Sequence, residues 1–124
     1  MKYYCYLIQN EKGKTYIGIT NNLQNRLNTH NGLNNKTKSR SKCTRIDKSL
    51  WFYHTVVGIF PSRGEAQRFE WYWKHIKNKS GKWIRNYSGI GYKMDRLLEL
   101  LMSEEWRYID IKQCPQNEYP QIFY

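Results

Sequence analysis

Cysteine is scarce in this sequence and scattered. Cys5, Cys43 and Cys114 are odd in number, and no CxxC pair occurs. That argues against both a disulfide framework and the usual zinc-ligand spacing. Cys5 falls in an apolar run and is expected to be a small core residue. Long apolar runs are missing too, since nothing approaches the roughly 18 consecutive apolar residues of a membrane span. The N-terminal stretch turns polar after Ile8 and does not read as a secretory signal, so an intracellular location, cytoplasmic or nuclear, is expected. Internal repeats, linkers and low-complexity tracts are absent. Acids are the third scarcity. The chain of 124 residues carries 10 Asp or Glu against 21 Lys or Arg, a formal charge of +11.

That excess sets the partner class. A pI near 9.7 and a mean hydropathy of −0.88 describe a strongly basic chain, for which a polyanion is the natural partner, most often nucleic acid. The charge is uneven. Residues 1–94 hold 18 of the cations and four acids, whereas 95–124 are net acidic. Aromatic residues reach 16%, with 11 Tyr and 5 Trp. Rings beside cations suit a nucleic-acid surface, although most rings in a chain of this size serve the core.

The pattern of elements predicts an α+β fold, a small three-stranded antiparallel sheet flanked by helices. Tyr3–Gln9 and Thr15–Thr20 read as a hairpin turned at Gly13. Asn21 or Asn22 caps a helix to about Asn31, with Leu23 and Leu27 as its apolar stripe. Trp51–Phe60 is the third strand, stopped by Pro61. Ser62 and Glu65 form a capping box for a helix to about Asn78, striped by Ala66, Phe69, Trp73 and Ile76. Residues 77–92 read as a loop or a short helical piece, Asp95–Ser103 as a helix, and Trp106–Ile111 as either a strand-like alternation or an irregular segment.

Few side chains are candidates for chemistry. Of the four acids before residue 95, Glu11 sits in a turn, Asp47 in a basic loop and Glu65 in a cap. Glu70 remains. It is either a boundary carboxylate paired to Lys74 one turn on, or a lone carboxylate holding one hard cation among waters and phosphate. Arg26 and His30 share a helix face. Tyr6 and Tyr16 lie on adjacent strands with a spacing that allows both phenols on one side. Trp71, Tyr72 and Trp73 cannot all be buried on one helix, which puts Trp71 or Tyr72 near a cleft wall. Lys36, Lys38, Arg40, Lys42 and Arg45 follow the His30 end of the helix; they are either a solvated loop or, with Lys74, a track for the phosphates of a nucleic acid.

Taken in order, Tyr4-Cys5-Tyr6, Tyr16-Ile17-Gly18, Arg26, His30-Asn31-Gly32 and a helical Glu70 resemble the GIY-YIG nuclease superfamily. The second tripeptide is intact; the first keeps only its closing Tyr. Gly58-Ile59-Phe60-Pro61-Ser62 and Arg68-Phe69-Glu70-Trp71-Tyr72-Trp73 extend the likeness over residues 3–78, nearest to the catalytic subunit of Slx-type structure-selective endonucleases. The resemblance implies a nuclease core over residues 1–80, with 81–124 as a helical extension on the same domain. It also implies Mg²⁺- or Mn²⁺-dependent hydrolysis of DNA phosphodiesters in repair or recombination, with branched DNA as the substrate class. Glu70 would hold the metal, Arg26 would clamp the phosphate, and His30 would carry a proton or contact phosphate. Tyr6 or Tyr16 would be the base, Tyr6 being favoured once the metal and Arg26 have lowered its pKa. The Cys and His ligands of the Slx-type zinc module are missing from this sequence, leaving a scaffold partner or self-association open. A mobile-element or repair-incision nuclease and a non-catalytic DNA-binding module are the alternatives.

Overall fold

The computed structural model describes residues 2–31, 50–84 and 89–106, and the backbone of 110–113. The cations at 36, 38, 40, 42 and 45 lie outside the described residues. The hairpin forms as expected, with β1 at Tyr3–Asn10 and β2 at Thr15–Thr20. Its turn depends on Gly13 at φ 83° and on Asn10, whose Oδ1 accepts from the Lys12 and Lys14 amides. Helix α1, Leu23–His30, starts where the Asn22 side chain accepts from the Asn25 amide at 3.0 Å. Strand β3 is Trp51–Phe60, and α2 is Arg63–Lys74, capped by Ser62 Oγ on the Glu65 amide.

The three predicted strands pair antiparallel, and a fourth, Asp110–Gln113, joins them beyond β3. The order across the sheet is therefore β2, β1, β3 and this last strand. The alternation read at Trp106–Ile111 is out of place. Glu104–Trp106 is a 3₁₀ turn that buries Trp106, and the strand starts at Asp110.

Strand β1 is buried on both faces. Cys5 and Leu7 face a core shared with Phe69 and Trp73 of α2 and with Leu97 and Leu100 of α3, the helix Ile90–Met102. Tyr6 and Ile8 face a second cluster with Leu27, Trp51, Tyr53 and Val56. Each such aromatic or aliphatic side chain contributes about 1.5–3 kcal/mol on burial. This two-sided core sandwiches the sheet between α1 and the α2–α3 pair.

Helix α2 stops at Lys74, four residues before the predicted end. His75 is extended, and the Arg96 Nε donates to the carbonyls of Tyr72 and His75. The Ile76 read as helix stripe instead opens a small hairpin, β4 Ile76–Lys77 and β5 Trp83–Ile84. Asn78 Oδ1 and Gly81, at φ 79°, shape its turn. Helix α3 starts at Gly89–Ile90, five residues earlier than the Leu periodicity suggests, because glycine spacing hid its first turn. Trp73 Nε1 ties α2 to α3 by donating to the Lys93 carbonyl at 2.8 Å.

Candidate active site

Two anchors hold α1 against the sheet. Tyr53 Oη donates to the Leu23 carbonyl at 2.5 Å. At the other end, the Asn31 side chain accepts from the Trp51 amide at 2.7 Å and donates to its carbonyl at 3.0 Å. The face of α1 that carries Arg26 and His30 is thereby fixed over β1. His30 is wholly buried, as is Tyr6. Tyr6 Oη lies 2.8 Å from His30 Nε2 and accepts from Arg26 Nε at 3.1 Å.

Burial sets the protonation of this trio. It pushes the Tyr6 phenol up, against the pull of Arg26. It also pushes His30 down to about 3, with the Arg26 charge adding to the shift. Burial opposes the charge on Arg26 as well, but the two phenols outweigh it and the guanidinium stays charged. With phenol and imidazole both neutral, Tyr6 Oη accepts from Arg26 and shares one hydrogen bond with His30 Nε2, whose donor is set by the His30 tautomer. The expectation that Arg26 would lower the Tyr6 pKa holds for its direction of pull, but burial wins.

Tyr16 completes the cluster, its ring centroid 6.4 Å from that of Tyr6 and 5.2 Å from that of His30. The register pairs Tyr6 with Gly18 and Ile8 with Tyr16, which brings the two phenols together across the hairpin. Gly18 is what lets them close. A Cβ there would sit 2.5 Å from Tyr6 Oη, 2.7 Å from Tyr6 Cζ and 3.0 Å from Tyr16 Cε1. Gly18→Ala is therefore expected to lower stability by about 1–3 kcal/mol, the scale of overpacking a closed core. A denaturant midpoint equal to that of the parent would show that the phenols move aside freely.

The two phenols have different access. Tyr16 lines an open cavity of about 350 Å³ along β2, shared with Thr20, Asn21, Arg26, Arg63 and Glu70. Tyr6 lies behind it, with no exposed surface. Glu70 reaches the cavity from α2, on the opposite side of the sheet from α1. Its Oε2 is 3.3 Å from Lys74 Nζ, one turn along, and both side chains are 22% exposed. The ion pair and the cavity position therefore coexist. Lys74 Nζ also stands 5.3 Å from the Tyr16 ring centroid. Trp71 and Tyr72 do not line this cavity: Trp71 stacks on His75 at 4.0 Å, beside Trp83.

Among the described residues no group of three or more His, Cys, Asp or Glu could cage a metal ion. A single carboxylate in an open, polar cavity still fits a hard divalent cation, which commonly takes one or two carboxylates and completes its shell with water and substrate phosphate. Arg63 is a cavity residue that the sequence does not announce. Arg63 looks like an ordinary first-turn residue of α2, and only the packing of α2 beside β2 brings it to the cavity.

A hairpin whose two phenols meet over a glycine, an Arg–His helix face above them and a glutamate from the next helix define a compact catalytic-domain type. The chain belongs to the GIY-YIG catalytic domain family, whose sequence profile matches residues 2–88. Among curated proteins it is 40% identical over 76 residues to an uncharacterised protein of Acanthamoeba polyphaga mimivirus, covering 60% of this chain and 44% of that one. It is also 40% identical over 75 residues to the structure-specific endonuclease subunit slx1 of Pyrenophora tritici-repentis, and 39% over 77 residues to that of Talaromyces marneffei. These matches cover 59% and 60% of this chain, and 20% and 19% of the relatives. The chain thus spans less than half the length of these relatives. No helix among the described residues is long and apolar enough to cross a membrane.

Proposed function

We propose that this chain is a DNA endonuclease domain that hydrolyses phosphodiester bonds with a divalent metal and favours branched DNA. The observation that carries the reading is the Tyr6–His30–Arg26 hydrogen-bonded trio set directly behind a cavity lined by Tyr16, Arg26, Arg63 and Glu70. The family and the name carried by the slx1 relatives support it.

In this reading each side chain has a distinct task. Arg26, held charged and oriented by Tyr6, neutralises the scissile phosphate as negative charge builds on it. Arg63 offers a second cation from the wall of the same cavity. Glu70 would hold the Mg²⁺ or Mn²⁺, whose charge offsets that of the phosphate and acidifies the attacking water. Of the two phenols, Tyr16 faces the cavity and is placed to take the water's proton. Tyr6 is read as the hub behind it, its hydroxyl fixing both Arg26 and His30. This moves the base from Tyr6, favoured on sequence, to Tyr16, because a proton acceptor must reach water. Lys74 has a double position, pairing with Glu70 and standing over Tyr16, where a phosphate could compete for it.

Preference for branched DNA follows from what the chain can read. A small domain that meets DNA through scattered lysines and arginines, without a helix seated in a groove, contacts backbone more than base edges. Such a reader discriminates by shape and deformability. Cleavage of matched linear duplex, 5′-flap, fork and four-way substrates with Mg²⁺ tests this. Faster cleavage of the branched forms is expected. Equal rates on all four would move the assignment to a mobile-element or repair-incision nuclease, and no cleavage of any would leave a DNA-binding module.

A further inference from the structure

Helix α2 turns about 100° per residue, so Trp71 and Tyr72 leave the face that carries Glu70 to the cavity. They meet His75 and Trp83 in a cluster of rings that the chemistry above does not use. Trp71 stacks flat on His75, with centroids 4.0 Å and planes 10° apart, and meets Tyr72 and Trp83 edge-on at 5.2 Å each. Tyr72 meets Trp83 at 5.8 Å. Polar ties fix the cluster. His75 Nδ1 donates to the Trp71 carbonyl at 2.6 Å, and Arg96, 5.9 Å from the Trp83 centroid, holds the carbonyls of Tyr72 and His75. This packing still leaves both indoles open, Trp71 42% exposed and Trp83 37%. The charge around them is one-sided. No Asp or Glu occurs between Glu70 and Asp95, while Lys77, Lys79 and Lys82 stand exposed on the β4–β5 hairpin. Lys77 Nζ lies 5.0 Å from the Trp83 centroid. Glu99 is taken up by Arg96, at 3.2 Å.

We propose that this cluster is a stacking platform for the bases of an unpaired nucleic-acid strand, whose phosphates meet Lys77, Lys79 and Lys82. The proposal rests on the nucleic-acid reading above and adds to it the place where unpaired nucleotides of a branched substrate are held. The surface itself selects this occupant. An exposed indole offers any base a stacking contact, and ammonium groups beside it suit the phosphates between bases. Paired bases keep their faces inside the duplex, so only an unpaired strand can use the rings. An apolar protein face would suit the indoles but not the lysines beside them, which the cores of protein interfaces tend to exclude. The hydrogen bonds to Trp71, Tyr72 and His75 hold the rings in place before a ligand arrives, so little freedom is lost on binding. Glu70 and Trp71 share one helix, which fixes the platform relative to the cleavage cavity.

The test is binding to the full chain in chelator, with probes of matched length: a thymidine strand, the same strand lacking its bases, and a blunt duplex. The parent should bind the thymidine strand about tenfold more tightly than the abasic one, the scale of stacking one or two bases. Trp71→Ala should remove that advantage and leave duplex affinity within about twofold of the parent's. Trp71→Tyr, which keeps a ring, should retain most of it. Lys79→Gln combined with Lys82→Gln should weaken both single strands alike and lower the log–log salt slope by about 0.7 per lost contact. Equal affinity of the parent for thymidine and abasic strands would overturn the platform, leaving the rings to a protein partner, and this comparison needs no variant. In a folded Trp71→Ala, an undiminished advantage or an equal loss on all the probes would overturn it too. With the parent still cleaving DNA in Mg²⁺, any of these results leaves the nuclease reading standing. A parent that neither binds nor cleaves DNA would instead remove the nuclease reading, and the platform with it.

Discussion

Glu70→Gln is expected to leave cleavage at least about a thousandfold below that of the parent, with DNA affinity kept or slightly raised. Glu70 is the one acid lining the Tyr16–Arg26 cavity among the described residues. Glutamine keeps its shape and removes the charge a divalent cation needs. DNA affinity should not fall, because Lys74 loses the partner it holds at 3.3 Å and becomes available to phosphate. The fold should be nearly untouched, since an i,i+4 pair of this kind contributes about 0.3–0.5 kcal/mol. Single-turnover cleavage over a Mg²⁺ titration, with binding measured in chelator, checks all three. Cleavage equal to the parent's at limiting Mg²⁺ would reduce Glu70 to the partner of Lys74.

Tyr6→Phe and Arg26→Ala should each slow cleavage by at least about 100-fold. Phenylalanine keeps the Tyr6 ring and its edge contact with Tyr53 at 5.4 Å, so only the hydroxyl is removed. That hydroxyl orients Arg26 and is hydrogen-bonded to His30. Its loss removes a buried hydrogen bond to His30 Nε2, which should lower stability by about 1–3 kcal/mol. Because Arg26 acts from the position Tyr6 gives it, the double variant should lose much less than the product of the two single losses. A multiplicative double loss would show that the two residues act independently. Near-parent turnover of a folded Tyr6→Phe would make Tyr6 a core residue alone.

What could be read in advance was what local sequence controls. The hairpin follows from alternating aromatics around Gly13, α1 from Asn22, and α2 from Ser62 and Glu65. Tyr6, Tyr16, Arg26, His30 and Glu70 stood in a recognisable order, and the structure brings Tyr16, Arg26 and Glu70 to one cavity with Tyr6 and His30 immediately behind. Misreadings arose where distant contacts decide. The end of α2 depends on Arg96 reaching its carbonyls from α3, and no local signal near His75 announces that. Ile76 continued a helical period by chance while the Asn78–Gly81 turn pulled it into a hairpin. The access of the two phenols was equally hidden. Tyr6 and Tyr16 look alike as letters, and only strand order, β1 inside and β2 outside, separates a sealed hydroxyl from one that meets water.

The place of Tyr6 in the fold has a practical consequence. Its ring belongs to the α1-side core, and its hydroxyl belongs to the hydrogen-bonded trio with Arg26 and His30. Many enzymes carry their reactive groups on loops that loosen before the scaffold melts, so heat silences them early. Here the trio sits on a central strand and a helix pinned at both ends to β3. Catalytic competence and global folding should therefore fail together on heating, in one transition. A variant stabilised around Leu97, Leu100 and Trp106, away from the cavity residues, should extend the working temperature of the domain degree for degree, without retuning the site.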